Sequence, residues 1–116
     1  MAQPLSPSTL KKRAEFLACA ASGLKCGTKG LVLQARSRAD SALAFGLTAS
    51  KRVGNAVCRN RAKRRLRALA HEVLPKQAQD GADYVLIAKT ETISRDFALL
   101  RGDLIYALKK IGRLKP

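Results

Sequence analysis

Between Lys51 and Arg67 the chain carries eight basic residues, Lys51, Arg52, Arg59, Arg61, Lys63, Arg64, Arg65 and Arg67, and no acid follows until Glu72. Guanidinium groups grip phosphates bidentately and stack on unpaired bases, so six arginines against two lysines suit a folded RNA. A helix face of this length ordinarily mixes signs, because each i,i+4 ion pair gives about 0.3 kcal/mol and like charges cost as much. Forgoing those pairs makes sense where phosphates complete the electrostatics, and it predicts binding that weakens steeply with salt. Aromatic residues are only 4% of the chain, too few for an array of stacking platforms. Recognition should therefore rest on backbone and shape more than on base identity.

Other chemistries have less to work with. A protein-only nuclease needs clustered carboxylates or a general base, whereas Glu15, Asp40, Glu72, Asp80, Asp83, Glu91, Asp96 and Asp103 are scattered, with no DxD or ExxH spacing. His71 is the only histidine and has no neighbouring Ser or Cys nucleophile. No catalytic dyad follows from it. Cys19, Cys26 and Cys58 form no CxxC or Cys/His cluster, so they read as small apolar thiols without a metal.

The chain that positions these residues has 116 of them, enough for one compact domain, and 47% are apolar. Lys and Arg number 23 against 8 Asp and Glu, a formal charge of +15 whose self-repulsion a polyanionic partner relieves. No apolar run approaches the roughly 20 residues that span a bilayer. Met1 to Pro7 lacks the layout of a signal peptide. Residues 1–8 read as a flexible arm and 9–113 as a single RNA-binding domain, cytoplasmic, with no membrane and no small-molecule substrate.

Ser8-Thr9 is expected to cap a first helix running to about Ala21, with Leu10, Ala14, Leu17 and Ala21 as its buried stripe and Phe16 and Ala20 beside it. Leu24 to Thr28 can form a short edge strand. The strands Leu31–Arg38 and Ala42–Ser50, joined by Ala39-Asp40-Ser41, predict an antiparallel hairpin. Alternation puts Leu31, Leu33, Ala35, Phe45, Leu47 and Ala49 on one face, and Val32, Gln34, Arg36, Gly46, Thr48 and Ser50 on the other. A second helix, capped by Asn55 or Gly54, runs to about Leu74, where Pro75 ends it. Its core stripe is Ala62, Leu66, Leu69 and Val73, and at 100° per residue Asn60, Lys63, Arg64, Arg67 and His71 gather opposite. Tyr84 to Ala88 reads as a strand covered on both faces. A last helix starts at Ser94 or Asp96 and reaches Ile111, with Phe97, Leu100, Leu104 and Leu108 inward. The whole is an α/β sandwich with mixed pairing.

The segment Ser50-Lys51-Arg52-Val53-Gly54-Asn55-Ala56-Val57-Cys58-Arg59-Asn60-Arg61-Ala62-Lys63-Arg64-Arg65-Leu66-Arg67 resembles the signature of the bacterial ribonuclease P protein family. A basic run alone says little, but the ordered spacing with Gly54, Asn55 and Asn60 is specific, and the resemblance extends over about residues 9–112. It implies an αβββαβα order, a mixed sheet of about four strands, a left-handed βαβ crossover and a ribosomal S5 domain 2-like fold. General topology alone points to a right-handed crossover.

The resemblance also implies roles. The crossover helix would contact the catalytic ribonuclease P RNA through Lys51, Arg52, Asn55, Arg59, Asn60, Arg61, Lys63, Arg64 and Arg67. A cleft between the first helix and the sheet would take the 5′ leader of precursor tRNA, lined by Phe16, Gln34, Arg36, Thr48 and Ser50. Ala20 and Gln34 stand where relatives often carry aromatics, leaving Phe16 as the one stacking surface. The chain would act as a subunit without catalytic residues of its own, in a holoenzyme whose Mg²⁺ is held mainly by RNA. A ribosomal-type protein or RNA chaperone would share the charge and size but has no need of the ordered motif.

Overall fold

A computed structural model describes residues 8–116. The elements in chain order are β1 (Ser8–Thr9), α1 (Arg13–Ala21), β2 (Leu24–Gly27), β3 (Leu31–Ser37), β4 (Leu43–Thr48), α2 (Ala56–Gln77), β5 (Ala82–Ala88) and α3 (Phe97–Lys110). Short 3₁₀ turns at Lys51–Val53 and Thr90–Thr92 lead out of β4 and β5. One five-stranded sheet, ordered β1-β4-β5-β3-β2, separates α1 on one face from α2 and α3 on the other. Of the proposed arm at residues 1–8, Ser8 belongs to β1 and residues 1–7 lie outside the described residues.

The expected β3–β4 hairpin does not form. Strand β5 lies between the two, antiparallel to β3 and parallel to β4, with Leu33 and Leu47 both level with Leu86. The polar link after β3 bonds to the start of β5 instead of closing a turn. The Arg38 amide donates to Gly81, and the Gly81 and Ala82 amides donate to the Ala42 carbonyl. A central place also suits the unbroken apolar run of β5, which is buried on both faces except for half-buried Ile87. The hairpin that does form joins β2 to β3.

Ser8 and Thr9 are a fifth strand, not a helix cap, and pair in parallel with Ala44 and Phe45. Helix α1 begins at Arg13, and the Glu15 carboxylate accepts from the Lys12 amide at 3.1 Å. Its phase differs from the expected stripe. Leu10 is buried ahead of the helix, Cys19 is buried within it and Phe16 is half-buried, while Ala14, Leu17 and Ala21 face outward. The inward residues meet Ala44, Val85 and Ile87 on the α1 side of the sheet.

Helix α2 keeps its expected cap and core. The Asn55 side chain accepts from the Cys58 amide at 2.9 Å, and Ala62, Leu66, Leu69 and Val73 are buried. It runs past Pro75 to Gln77. A proline so near the end removes one late amide bond, while the Lys115 ammonium donates to the Pro75 carbonyl and Ala78 bridges to Leu114. Helix α3 is capped by Asp96, whose carboxylate accepts from Ala98 at 2.8 Å, and Leu100, Leu104 and Leu108 are fully buried.

Two hydrogen bonds fix the hand of the β4–α2–β5 crossover. Phe45 turns its side chain toward α2 while its carbonyl accepts from Leu10, on the β1 side, at 2.8 Å. Leu31 also turns toward the helices while its carbonyl accepts from Thr28, on the β2 side, at 2.8 Å. For L-residues this combination puts β5 to the left of β4, viewed from the helices with both strands pointing up. The crossover is left-handed, against the general preference.

Candidate nucleic-acid interface

The first turn of α2 depends on a backbone shape that glycine supplies. Gly54 has φ +142°, and a Cβ there would lie 2.9 Å from the Cys58 Cβ. This lets the chain leave the Lys51–Val53 turn and present Asn55 as the cap. Asn55 therefore acts on the helix itself through its side-chain oxygen. Lys51, Arg52, Asn60, Arg61, Arg64 and Arg67 are exposed, and Arg59 and Lys63 are half-buried. Among the described residues none of these basic side chains is in an ion pair. Their charges add to the positive end of the α2 dipole. Arg65 is different, since it donates to the carbonyls of Thr92 and Ile93.

The α1 side of the sheet is arranged in register rows. Thr48, Ile87, Val32 and Gly27 make one row, and Gly46, Val85, Gln34 and Lys25 the next. Phe16 crosses the second row on Gly46 and leaves the Thr48 row half-buried beside it. Phe16, Gln34 and Thr48 thus share this face of the sheet. Ser50 is exposed just beyond β4, where its carbonyl accepts from Val53 and the chain passes directly into Lys51 and Arg52. The half-buried Thr48 row and the basic helix are thus joined along the chain through this strand end.

Arg36 stands apart from that row. It lies level with Asp83 and Ala44, two residues along the strand from the Gln34 row. Its Nη2 donates to Asp83 Oδ2 at 2.6 Å, and Arg38 Nη1 donates to Asp83 Oδ1 at the same distance. The Asp83 side chain is fully buried, so two guanidinium groups compensate one desolvated carboxylate. Arg36, Ser37, Arg38, Ala39 and Asp40 border a surface pocket with Glu15. The hydrogen bond to Asp83 holds Arg36 more firmly protonated, and Asp40 and then Asp83 do so for Arg38. Arg38 in turn holds the Asp40 carboxyl below its ordinary range. Beneath α1, burial first and the Asp83 charge second push the Cys19 thiol up to about 11.

Sequence reasoning did not name Val32, Ile87 and Lys25 among the candidate residues on this face of the sheet. Ile87 sits in an uninterrupted apolar run, which gives no sign of which face α1 leaves open. Alternation puts Val32 on this face beside Gln34, while Lys25 is placed only by the strand register.

A mixed sandwich with a strongly basic helix on one side of the sheet and a half-buried residue row on the other fits a small basic RNA-binding protein. The ribonuclease P family model matches residues 6–112, and the chain belongs to the bacterial ribonuclease P protein family. It is 50% identical over 112 residues to a ribonuclease P protein component of Paramagnetospirillum magneticum, covering 91% of this chain and 84% of that one. It is 51% identical over 104 residues to that of Gluconacetobacter diazotrophicus, covering 89% and 90%. The fold superposes on the ribonuclease P protein of Staphylococcus aureus with a TM-score of 0.75 at 23% identity, covering 92% and 97%. For the Thermotoga maritima protein the TM-score is also 0.75, at 25% identity over 89% and 96%.

Proposed function

We propose that this chain binds a catalytic ribonuclease P RNA through α2 and the 5′ leader of precursor tRNA through the groove beside Phe16. The holoenzyme then removes the leader by endonucleolytic cleavage, giving the mature tRNA 5′ end. The observation that carries this reading is the contiguity of the two surfaces along the chain at Thr48–Arg52. A helix that sheds RNA counterions and a groove for a single strand meet at one strand end.

Seven of the eight acids are engaged within the fold, which supports a role without catalytic residues. Asp83, Asp103, Glu72 and Asp40 are in ion pairs with arginines, Asp96 and Glu15 accept backbone amides, and Glu91 accepts from Thr90. Among the described residues no group of three or more His, Cys, Asp or Glu is placed to hold a metal ion. In this proposal Mg²⁺ stays with RNA oxygens, and the protein screens phosphates and seats the leader.

Reconstitution tests it. The purified chain with its cognate RNA should cleave precursor tRNA at physiological Mg²⁺, faster than the RNA alone. The protein alone should leave the substrate intact. Correct 5′ cleavage that survives removal of all RNA from the preparation would overturn the subunit reading.

A further inference from the structure

One arginine of the basic helix does not share the setting of its neighbours. Arg65 Nη1 donates to the carbonyls of Thr92 and Ile93, both at 2.7 Å. Its guanidinium carbon stands 5.9 Å from the centroid of the Phe97 ring, and Arg101 of α3 approaches the same ring at 5.5 Å. Arg101 also reaches back to Glu72 of α2 at 2.8 Å. The loop that receives Arg65 is itself fixed. Thr92 is fully buried, and its hydroxyl donates to the Gly30 carbonyl at 2.6 Å and accepts from the Lys89 amide at 2.8 Å. Gly30 is packed so closely that a Cβ would lie 2.5 Å from Asp103 Oδ2 and from Leu100 Cδ2. A chain of short contacts therefore runs from the β2–β3 turn, through the β5–α3 connection, to the middle of the basic helix.

We infer that Arg65 is a positioning residue that sets the tilt and rotation of α2, so that Arg61, Arg64 and Arg67 meet RNA as one fixed array. The inference rests on α2 being the RNA surface proposed above. The apolar contacts of Ala62 and Leu66 hold the helix down but are non-directional. A charge-assisted bond to two fixed carbonyls is directional and short. The charge of Arg65 is directed inward, so its contribution to RNA binding is geometric.

The test uses the full chain and its cognate ribonuclease P RNA, at a temperature where each variant's circular dichroism matches the parent. Phe97→Leu and Arg65→Lys both keep every charge, and Phe97→Leu alters nothing on α2. Positioning requires each to weaken RNA binding about fivefold with little change in the salt slope. Parent-like affinity in both would overturn the inference, because guanidinium geometry would then be irrelevant. Arg65→Ala should also leave the slope nearly unchanged. A fall of about one contact, as expected for Arg61→Ala, would make Arg65 an ordinary phosphate contact and overturn the inference. If Arg61→Ala alters neither affinity nor slope, the α2 interface itself is refuted, and the role of Arg65 goes with it.

Discussion

The Phe16 ring occupies the space that a side chain on Gly46 would need. A Cβ at Gly46 would lie 2.5 Å from both Cε1 and Cζ of that ring. The ring is half-buried and packed on β4 in the cluster that also takes in Ile87, so part of it serves the core while the rest is accessible. Gly46→Ala should lift the ring and cost about 1–3 kcal/mol of stability through overpacking. Phe16→Ala should weaken holoenzyme binding of precursor tRNA by about 1 kcal/mol, the low end for one stacked base. Binding of mature tRNA should be unchanged. Direct binding assays with both RNAs check this, and equal behaviour toward the two would assign Phe16 to the core alone.

Removing the Asp83 carboxylate leaves Arg36 and Arg38 facing a buried gap. Asp83→Ala should destabilise the fold by about 3 kcal/mol, the lower end for a broken buried pair because both arginines partly reach solvent. Urea unfolding measures it. A loss under half a kilocalorie, or roughly a twofold change in the folding equilibrium, would mean that solvent already screens the cluster.

The α2 arginines outside ion pairs, exposed Arg61 and Arg64 and half-buried Arg59, should behave as separate phosphate contacts. Arg59→Ala, Arg61→Ala and Arg64→Ala should each cost on the order of 1 kcal/mol of RNA affinity and lower the salt slope by about one. Lys109→Ala, at the end of α3, should change neither. Equal losses at both places would indicate a diffuse basic surface.

Cys19 should stay protonated and slow to react at neutral pH. Its folded value is about 11 against an ordinary 9.0, with burial as the main cause. The sign follows from the raised value. The stability contributed by the neutral thiol is fully present below the ordinary range and is lost as pH rises through about 11. Alkylation followed by peptide mass spectrometry should label the more accessible Cys58 first and Cys19 last. Stability should decline only above about pH 9. Rapid labelling of Cys19 at pH 7 would show that α1 lifts readily from the sheet.

Much of this was legible in the sequence, for reasons that differ along the chain. The α2 stripe of Ala62, Leu66, Leu69 and Val73 was readable because 22 residues sample the helical period several times. In α1 only nine residues do so, and its stretch of small residues gives several equivalent faces. Its phase is set from outside, by Phe16 seating on Gly46 and by Ser8-Thr9 pairing with β4. The β3–β4 hairpin failed because a short polar link is compatible with a turn, while the preference of β5 for a central position acts across more than thirty residues. Ser50 lies beyond the end of β4, whereas alternation put Gln34, Arg36 and Thr48 on one face, as the strand register has them. It could not show that Asp83 engages Arg36 away from the Thr48 row.

The position of β5 also has a consequence for biosynthesis. Strands β3 and β4 are made early yet share no ladder, and both depend on a strand that follows α2 in the chain. A nascent chain that has emerged only through Arg67 thus carries its complete basic run before it has the strand that organises the sheet. Pairing across such sequence distance is slow relative to local helix formation. The growing polypeptide therefore passes through a stage of strong positive charge without its central strand, and other polyanions can compete for it until β5 is made.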